Sequence, residues 1–161
     1  MANTQSMCTS FMGELMTATH NFGVAPIRAA TTADTFKAAL YFASATINAS
    51  TTAYSTTGEV TNTSGTGYTA GGVTITNGTA PIATNSSTTA GVAYWTPTAS
   101  FSWSALTVTT AFDTVLIYNS TQSNKAVSVH TFGSQTITAG TFTLTMPSNT
   151  TTTGLLRLAT T

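Results

Sequence analysis

The sequence predicts an all-β chain: a single antiparallel β-sandwich or jelly-roll-like domain preceded by a short N-terminal helix. Apolar residues alternate with Thr and Ser at a period of two along most of the chain. Turn signals rich in Gly, Asn and Ser separate these runs at short intervals. The runs consist mainly of Thr, Val, Ile and aromatic residues, which favour strands, so propensity and periodicity agree.

The helix is predicted over residues 4–19, where apolar side chains recur on one stripe. Thr4 is its expected N-cap, and Asn21-Phe22-Gly23 its expected end. The stripe packs on the domain's own core or docks on a neighbouring subunit, and both readings stay open. Methionines suit an adaptable contact surface. The candidate subunit contacts are Met7, Phe11, Met12, Leu15 and Met16, and Cys8 lies on the same stripe.

The change of period after Pro26 divides the chain into an N-terminal helix or arm, residues 1–30, and a β-sandwich domain, residues 31–161. About seven to ten short strands are expected in the second part. The residues 115–118 form a continuous apolar run, typical of a strand buried on both faces. The other alternating runs are 35–42, 73–76, 101–103, 106–108, 127–129, 142–146 and 156–158, with turns expected at Asn119-Ser120, Gly133-Ser134 and Ala139-Gly140 among others.

Charge is scarce: only 5% of the residues are charged, and the formal net charge is zero. This excludes a basic surface for nucleic acid and a polybasic membrane patch. No apolar run approaches the length of a bilayer-spanning helix. The single Cys8 excludes an internal disulfide framework, and the first residues lack the pattern of a signal peptide, so synthesis in a cytosol is expected.

Residues able to carry chemistry are few. Ser128 and His130 would share one face of a strand, and Asp113 is the acid that could join them, but the sequence has no nucleophile-elbow motif. The potential metal ligands never cluster at ligand spacing. We therefore expect no catalytic residues, no metal and no cofactor. The potential ligands are Cys8, Glu14, His20, Asp34, Glu59, Asp113 and His130.

The aromatic residues Tyr94, Trp95, Phe101 and Trp103 lie close together in the sequence. They would either line a glycan-binding face or fill the core of the sandwich, and the second reading is favoured. Thr, Ala and Ser make up about half of the chain, and a surface with so little charge gives little colloidal repulsion. Such a surface favours self-association or incorporation into a larger assembly.

Several segments of the sequence resemble a family of small β-rich virion proteins of tailed bacteriophages. The resemblance covers about residues 33–160. Its most specific block is residues 115–127, Val-Leu-Ile-Tyr-Asn-Ser-Thr-Gln-Ser-Asn-Lys-Ala-Val. The remaining matching segments are residues 33–41, 52–55, 58–60, 67–72 and 155–159.

The resemblance implies a non-enzymatic structural protein of a virion, made in the cytoplasm of a bacterial host. The resemblance does not fix the position in the particle. Neutral, hydroxyl-rich patches and strand edges favour capsid decoration, as a cement protein bound to the major capsid protein. A tail, head–tail connector or fibre-associated subunit is the alternative, and a carbohydrate-binding or receptor-binding module a further one. The expected partners are the major capsid protein, other virion subunits and further copies of the chain.

Overall fold

The computed structural model describes residues 3–16, 18–22, 33–61, 67–76, 80–84 and 91–159. In this part of the chain, two antiparallel sheets pack together and one short helix lies near the N-terminus, which confirms the predicted all-β sandwich. The large sheet has the strand order β1-β7-β6-β2-β3 and the small sheet the order β4-β5-β8. The elements are β1 Ser6–Met7, α1 Thr9–Met16, β2 Phe36–Phe42, β3 Val73–Thr74, β4 Ile82–Thr84, β5 Val92–Trp95, β6 Phe101–Asn119, β7 Lys125–Leu144 and β8 Leu156–Ala159.

The strands β6 and β7 form one long hairpin, 19 and 20 residues in length. The expected turn after Asn119 is confirmed, because Asn119 pairs with Lys125 across it. The turns expected at Gly133-Ser134 and Ala139-Gly140 are wrong: both lie inside β7. Shifts in the β6–β7 register absorb the extra residues there, and Ala139 adopts a left-handed φ of 48°. Several short predicted strands therefore merge into two.

The strand β2, which lies between β6 and β3, is buried on both faces, whereas period-two alternation predicts one open face. Phe36 packs against the small sheet, since its ring lies 6.2 Å from Trp95. The opposite face carries Tyr41, which is fully buried. There the Tyr41 hydroxyl donates to the carbonyl of Ser55 at 2.6 Å. The loop before residue 60 thus covers the side of β2 that the pattern left open.

The helix is shorter than predicted. Residues before Thr9 are extended because Met7 pairs with Ser128 of β7 and the Cys8 N–H donates to the Val127 carbonyl at 3.0 Å. Thr4 is therefore not an N-cap. The helix ends at Met16, and Ala18 beyond it is left-handed, with a φ of 52°.

Two backbone bonds close that end: the Thr19 N–H donates to the Glu14 carbonyl at 2.9 Å, and the Ala18 N–H donates to the Leu15 carbonyl at 3.1 Å. The predicted end at residues 21–23 lies too far along the chain, and Gly23 falls outside the described residues. Cys8, Phe11 and Phe22 belong to the same hydrophobic core as the strands. The predicted boundary between residues 30 and 31 lies outside the described residues and stays a prediction.

Candidate functional site

The predicted contact stripe divides between core and surface. Phe11 is only 2% exposed and packs edge-on against His20, with ring centres 4.9 Å apart. Met7 and Leu15 are half-buried and line an apolar groove of about 90 Å³ together with Trp95 and Leu158 of the small sheet. These three stripe residues therefore face their own chain.

Met12 is the stripe residue that faces solvent, with 47% of its surface exposed. The side chain of Met16 lies outside what the structure describes. The use of this stripe as a subunit contact stays a prediction. The predicted subunit contact applies chiefly to Met12, because a neighbouring chain can reach Met12 without opening the core.

The aromatic group expected between residues 94 and 103 belongs mainly to the core. Trp95, Phe101 and Trp103 are 2%, 3% and 3% exposed. Trp95 lies edge-on to Phe22 with ring centres 4.9 Å apart. A glycan platform needs exposed ring faces, and of the four expected residues only Tyr94 is partly exposed.

A cluster of charged and amide side chains links the helix to the large sheet. Glu14 of α1 accepts hydrogen bonds from Lys125 of β7 and from His20 Nε2, the latter at 2.7 Å. Asn119, at the end of β6, donates from Nδ2 to His20 Nδ1 at 3.0 Å and to Asp34 Oδ2 at 2.8 Å. The two acids, the imidazole and the ammonium group thus form one connected network.

The backbone fixes how this network is protonated. Asn119 Oδ1 accepts from the N–H groups of Thr121 and Gln122, so the amide nitrogen must face His20. His20 Nδ1 is therefore the acceptor, and Nε2 carries the proton given to Glu14. Burial lowers the pKa of His20, against the raising effect of Glu14. Burial raises the pKa of Glu14, but hydrogen bonds from Lys125 and His20 more than offset this, and the pKa is lowered.

A second internal site surrounds Glu59, which is 3% exposed. Its carboxylate accepts from the hydroxyls of Tyr54 at 2.6 Å and Tyr68 at 2.7 Å, and from the Gly71 N–H at 2.7 Å. Tyr118 stacks on Tyr54 with ring centres 4.6 Å apart and donates to the Gly71 carbonyl. Burial and the negative charge of Glu59 raise the pKa values of Tyr54, Tyr68 and Tyr118, that of Tyr118 to about 12.

Sequence reasoning identified neither cluster. The first joins residues from distant segments, whereas the donors to Glu59 lie within 12 positions of it and only Tyr118 comes from a distant strand. The nearest available signal was the scarcity of acids itself. In a chain with four carboxylates, each carboxylate that folds inward needs donors. The scarcity of acids does not predict which residue donates to each carboxylate, because hydroxyl and amide donors are abundant throughout this sequence.

The pair Ser128 and His130 does meet, as two residues on one strand face should. Ser128 Oγ and His130 Nε2 lie 2.9 Å apart. Asp113 does not join them: it accepts from Asn3 Nδ2 at 2.9 Å and from Thr114 Oγ1 at 2.7 Å. Ser128 is 1% exposed, and burial lowers the pKa of His130 to about 4. The arrangement places an imidazole of lowered pKa beside a buried hydroxyl.

Neither a metal-binding cluster nor a membrane-spanning helix occurs in the described ranges. No group of three or more His, Cys, Asp or Glu side chains there is arranged to hold a metal ion. No helix in the same ranges has the length and apolarity to cross a membrane.

The outer edge of strand β7 is paired along only part of its length. Residues 125–129 of β7 have partners on their outer side in β1 and in the segment around Thr52 and Ala53. From His130 to Leu144, the same edge has no backbone partner among the described residues. An open edge presents N–H and C=O groups that another strand can pair with.

Comparison with family models, curated proteins and solved structures finds no match to this chain.

Proposed function

We propose that this chain is a non-enzymatic structural subunit of a tailed-phage virion, bound as a decoration protein to the lattice of the major capsid protein. The observation that carries the proposal is that the acidic side chains are hydrogen-bonded within the chain itself. Glu14, Asp34, Glu59 and Asp113 are all four acids of the sequence, and each accepts hydrogen bonds from the chain itself. The outer surface is rich in hydroxyl groups and carries few charges, among them the exposed Arg157 and the half-buried Lys37.

Such a surface suits attachment in many copies. Neighbouring copies on a lattice lie close together, and like charges would repel one another at that spacing. A neutral protein avoids this repulsion, and its binding depends weakly on salt because few ion pairs are screened. Hydroxyl groups and open strand edges can form hydrogen bonds without any special side chain.

The Ser128–His130 pair is consistent with a structural role. A serine nucleophile has to reach its substrate and needs a base that an acid orients. Here the hydroxyl is buried, and Asp113 is engaged with Asn3 and Thr114. The hydrogen bond between Ser128 and His130 satisfies two polar groups at the sheet edge, which is a structural use of both residues.

The test is a copy count on purified particles of the phage that encodes the sequence, by quantitative mass spectrometry against the major capsid protein. Decoration predicts hundreds of copies, in a fixed ratio to the capsid subunit. A count near the symmetry of a tail or neck ring indicates the alternative position. Absence of the chain from particles contradicts both.

A second measurement tests the attachment itself. Labelled protein is added to particles that lack it, at low and at high salt, and bound protein is separated by sedimentation. We expect saturable binding that changes little with salt. Binding that disappears at high salt would contradict attachment through a neutral surface.

A further inference from the structure

The last part of the open β7 edge, residues 140–144, has no extra residue of its own, and the register shift beside it lies on β6 between Trp103 and Leu106. The β6–β7 register places extra residues on β7 between Thr131 and Gln135 and again between Ile137 and Gly140. From Gly140 to Leu144 the strand runs without an extra residue. Five residues is an ordinary strand length in folded proteins. This stretch is therefore long enough to accept one more strand.

Two common protections of an open edge are missing there. Native edges are blunted by charged side chains, by Pro, by β-bulges or by a covering segment, and the bulges of β7 lie before residue 140. The sequence has no charged residue between His130 and Arg157, and no Pro between His130 and Leu144. Within the described residues, no backbone hydrogen bond from another segment reaches the outer side of residues 140–144. The geometry of the site specifies its occupant as an extended strand.

The stretch is also complementary to itself. Its sequence is Gly-Thr-Phe-Thr-Leu, with Phe142 at the centre and one Thr on each side. In an antiparallel pair with a second copy, Phe142 lies opposite Phe142, and Thr141 opposite Thr143. Thr–Thr and aromatic pairs across strands are favourable. No like charges meet in this register.

We propose that two copies of this chain associate by antiparallel pairing of residues 140–144, with a two-fold axis at Phe142. The two large sheets then continue into one sheet, and each β7 edge gains a partner over this stretch. The Phe142 ring is half-buried in one copy, where it stacks on Trp103 with ring centres 5.8 Å apart. The second Phe142 covers the exposed part. Because the contact is isologous, it closes at a dimer.

This pairing does not rest on the proposed function, and a charge exchange tests it. Thr141 and Thr143 are both exposed, so substitution at these positions leaves the core intact. In the T141K/T143K variant, Lys faces Lys twice across the axis, and T141E/T143E opposes Glu in the same way. We expect each variant to dissociate at least about tenfold more readily than the unchanged chain. An equimolar mixture of the two should form the heterodimer.

The control is T109K/T110K, which adds the same charge at exposed positions of β6, away from the edge. It should dimerise like the unchanged chain. Sedimentation velocity measures all samples, with the monomer at 16.5 kDa. In the unchanged protein, hydrogen exchange at residues 140–144 should slow as concentration rises.

Three results would overturn the proposal. They are a monomer at every concentration, dimers that T141K/T143K does not weaken, or an equimolar mixture of T141K/T143K and T141E/T143E that does not form the heterodimer. Particle binding is measured separately, so a monomer that still decorates particles refutes only the pairing. A dimer that is absent from particles refutes only the proposed function.

Discussion

The Asn119 side chain donates to His20 Nδ1 at 3.0 Å and so sets which imidazole nitrogen carries the proton. The same amide donates to Asp34 at 2.8 Å, while its oxygen accepts two backbone N–H groups. One fully buried amide therefore joins the segment after the helix to the ends of β2 and β6. It ties the segment after the helix to the β2–β6 pair, in which Asn119 lies opposite Phe36.

Replacement of Asn119 by Ala should destabilise the protein strongly. The buried His20 Nδ1 and one Asp34 oxygen would each lose a donor, and the turn after β6 would lose its acceptor. We expect a loss of about 3 kcal/mol in the free energy of unfolding, measured by urea denaturation. The control is T121A at the exposed neighbouring position, which should cost much less. Similar costs for the two variants would contradict a central role for the amide.

Stability should fall as the pH becomes acidic. The pKa values of His20 and His130 are both lower in the folded chain than the ordinary histidine value, so the unfolded chain binds protons first as the pH falls. The free energy of unfolding is therefore highest above about pH 7 and decreases between about pH 6.5 and 4.

For His130, with its pKa near 4, this loss reaches about 3 kcal/mol. The H130Q variant keeps a hydrogen-bonding group near Ser128 but does not titrate. Urea denaturation at neutral and acidic pH should show a flatter pH dependence for H130Q than for the unchanged chain. Identical slopes would mean that His130 is not held neutral by burial.

The Glu59 cluster predicts the behaviour at alkaline pH. The pKa values of Tyr41, Tyr54, Tyr68 and Tyr118 are all raised by burial. Stability from these groups is fully present below about pH 10 and is lost as the pH rises above it. In a spectrophotometric titration, we expect these four tyrosines to ionise together with unfolding, as followed by circular dichroism. Separate ionisation in the folded state would contradict the cluster.

The charge of Glu59 can be tested directly. The E59Q variant keeps the shape, but one of its two terminal atoms becomes a donor and faces groups that also donate. We expect a loss of about 2 kcal/mol in the free energy of unfolding. The matched control is D113N: Asp113 is less buried and accepts only two hydrogen bonds, so its variant should lose less.

Adjacent residues on the helix separate folding from attachment. Phe11→Ala removes a core side chain and should cost about 3–5 kcal/mol in stability. Met12→Ser changes an exposed side chain and should cost less than about 0.5 kcal/mol. If the predicted stripe contacts a neighbouring subunit, Met12→Ser weakens binding to particles while thermal unfolding is unchanged. Unchanged binding would restrict the stripe to a role within its own chain.

The sequence by itself determined the fold class, because strand propensity and period two are local properties. The apolar run at residues 115–118 was expected to be buried on both faces, and Val115, Leu116 and Ile117 are 0% exposed. The 2.9 Å contact of Ser128 with His130 also follows from local geometry, since residues two apart share a strand face. No partner from a distant segment is needed for either result.

The tertiary structure decided the rest. Met7 fits the helical stripe by spacing, but the open edge of β7 draws it into a strand through backbone bonds. The extra residues near Ala139 became bulges rather than a turn because β6 continues beside them. His20 and Asn119 are 99 positions apart, and the Tyr118 hydroxyl is 47 positions from the Gly71 carbonyl to which it donates. Such contacts depend on long-range closure, which a chain so uniform in Thr, Ala and Ser does not record in its local pattern.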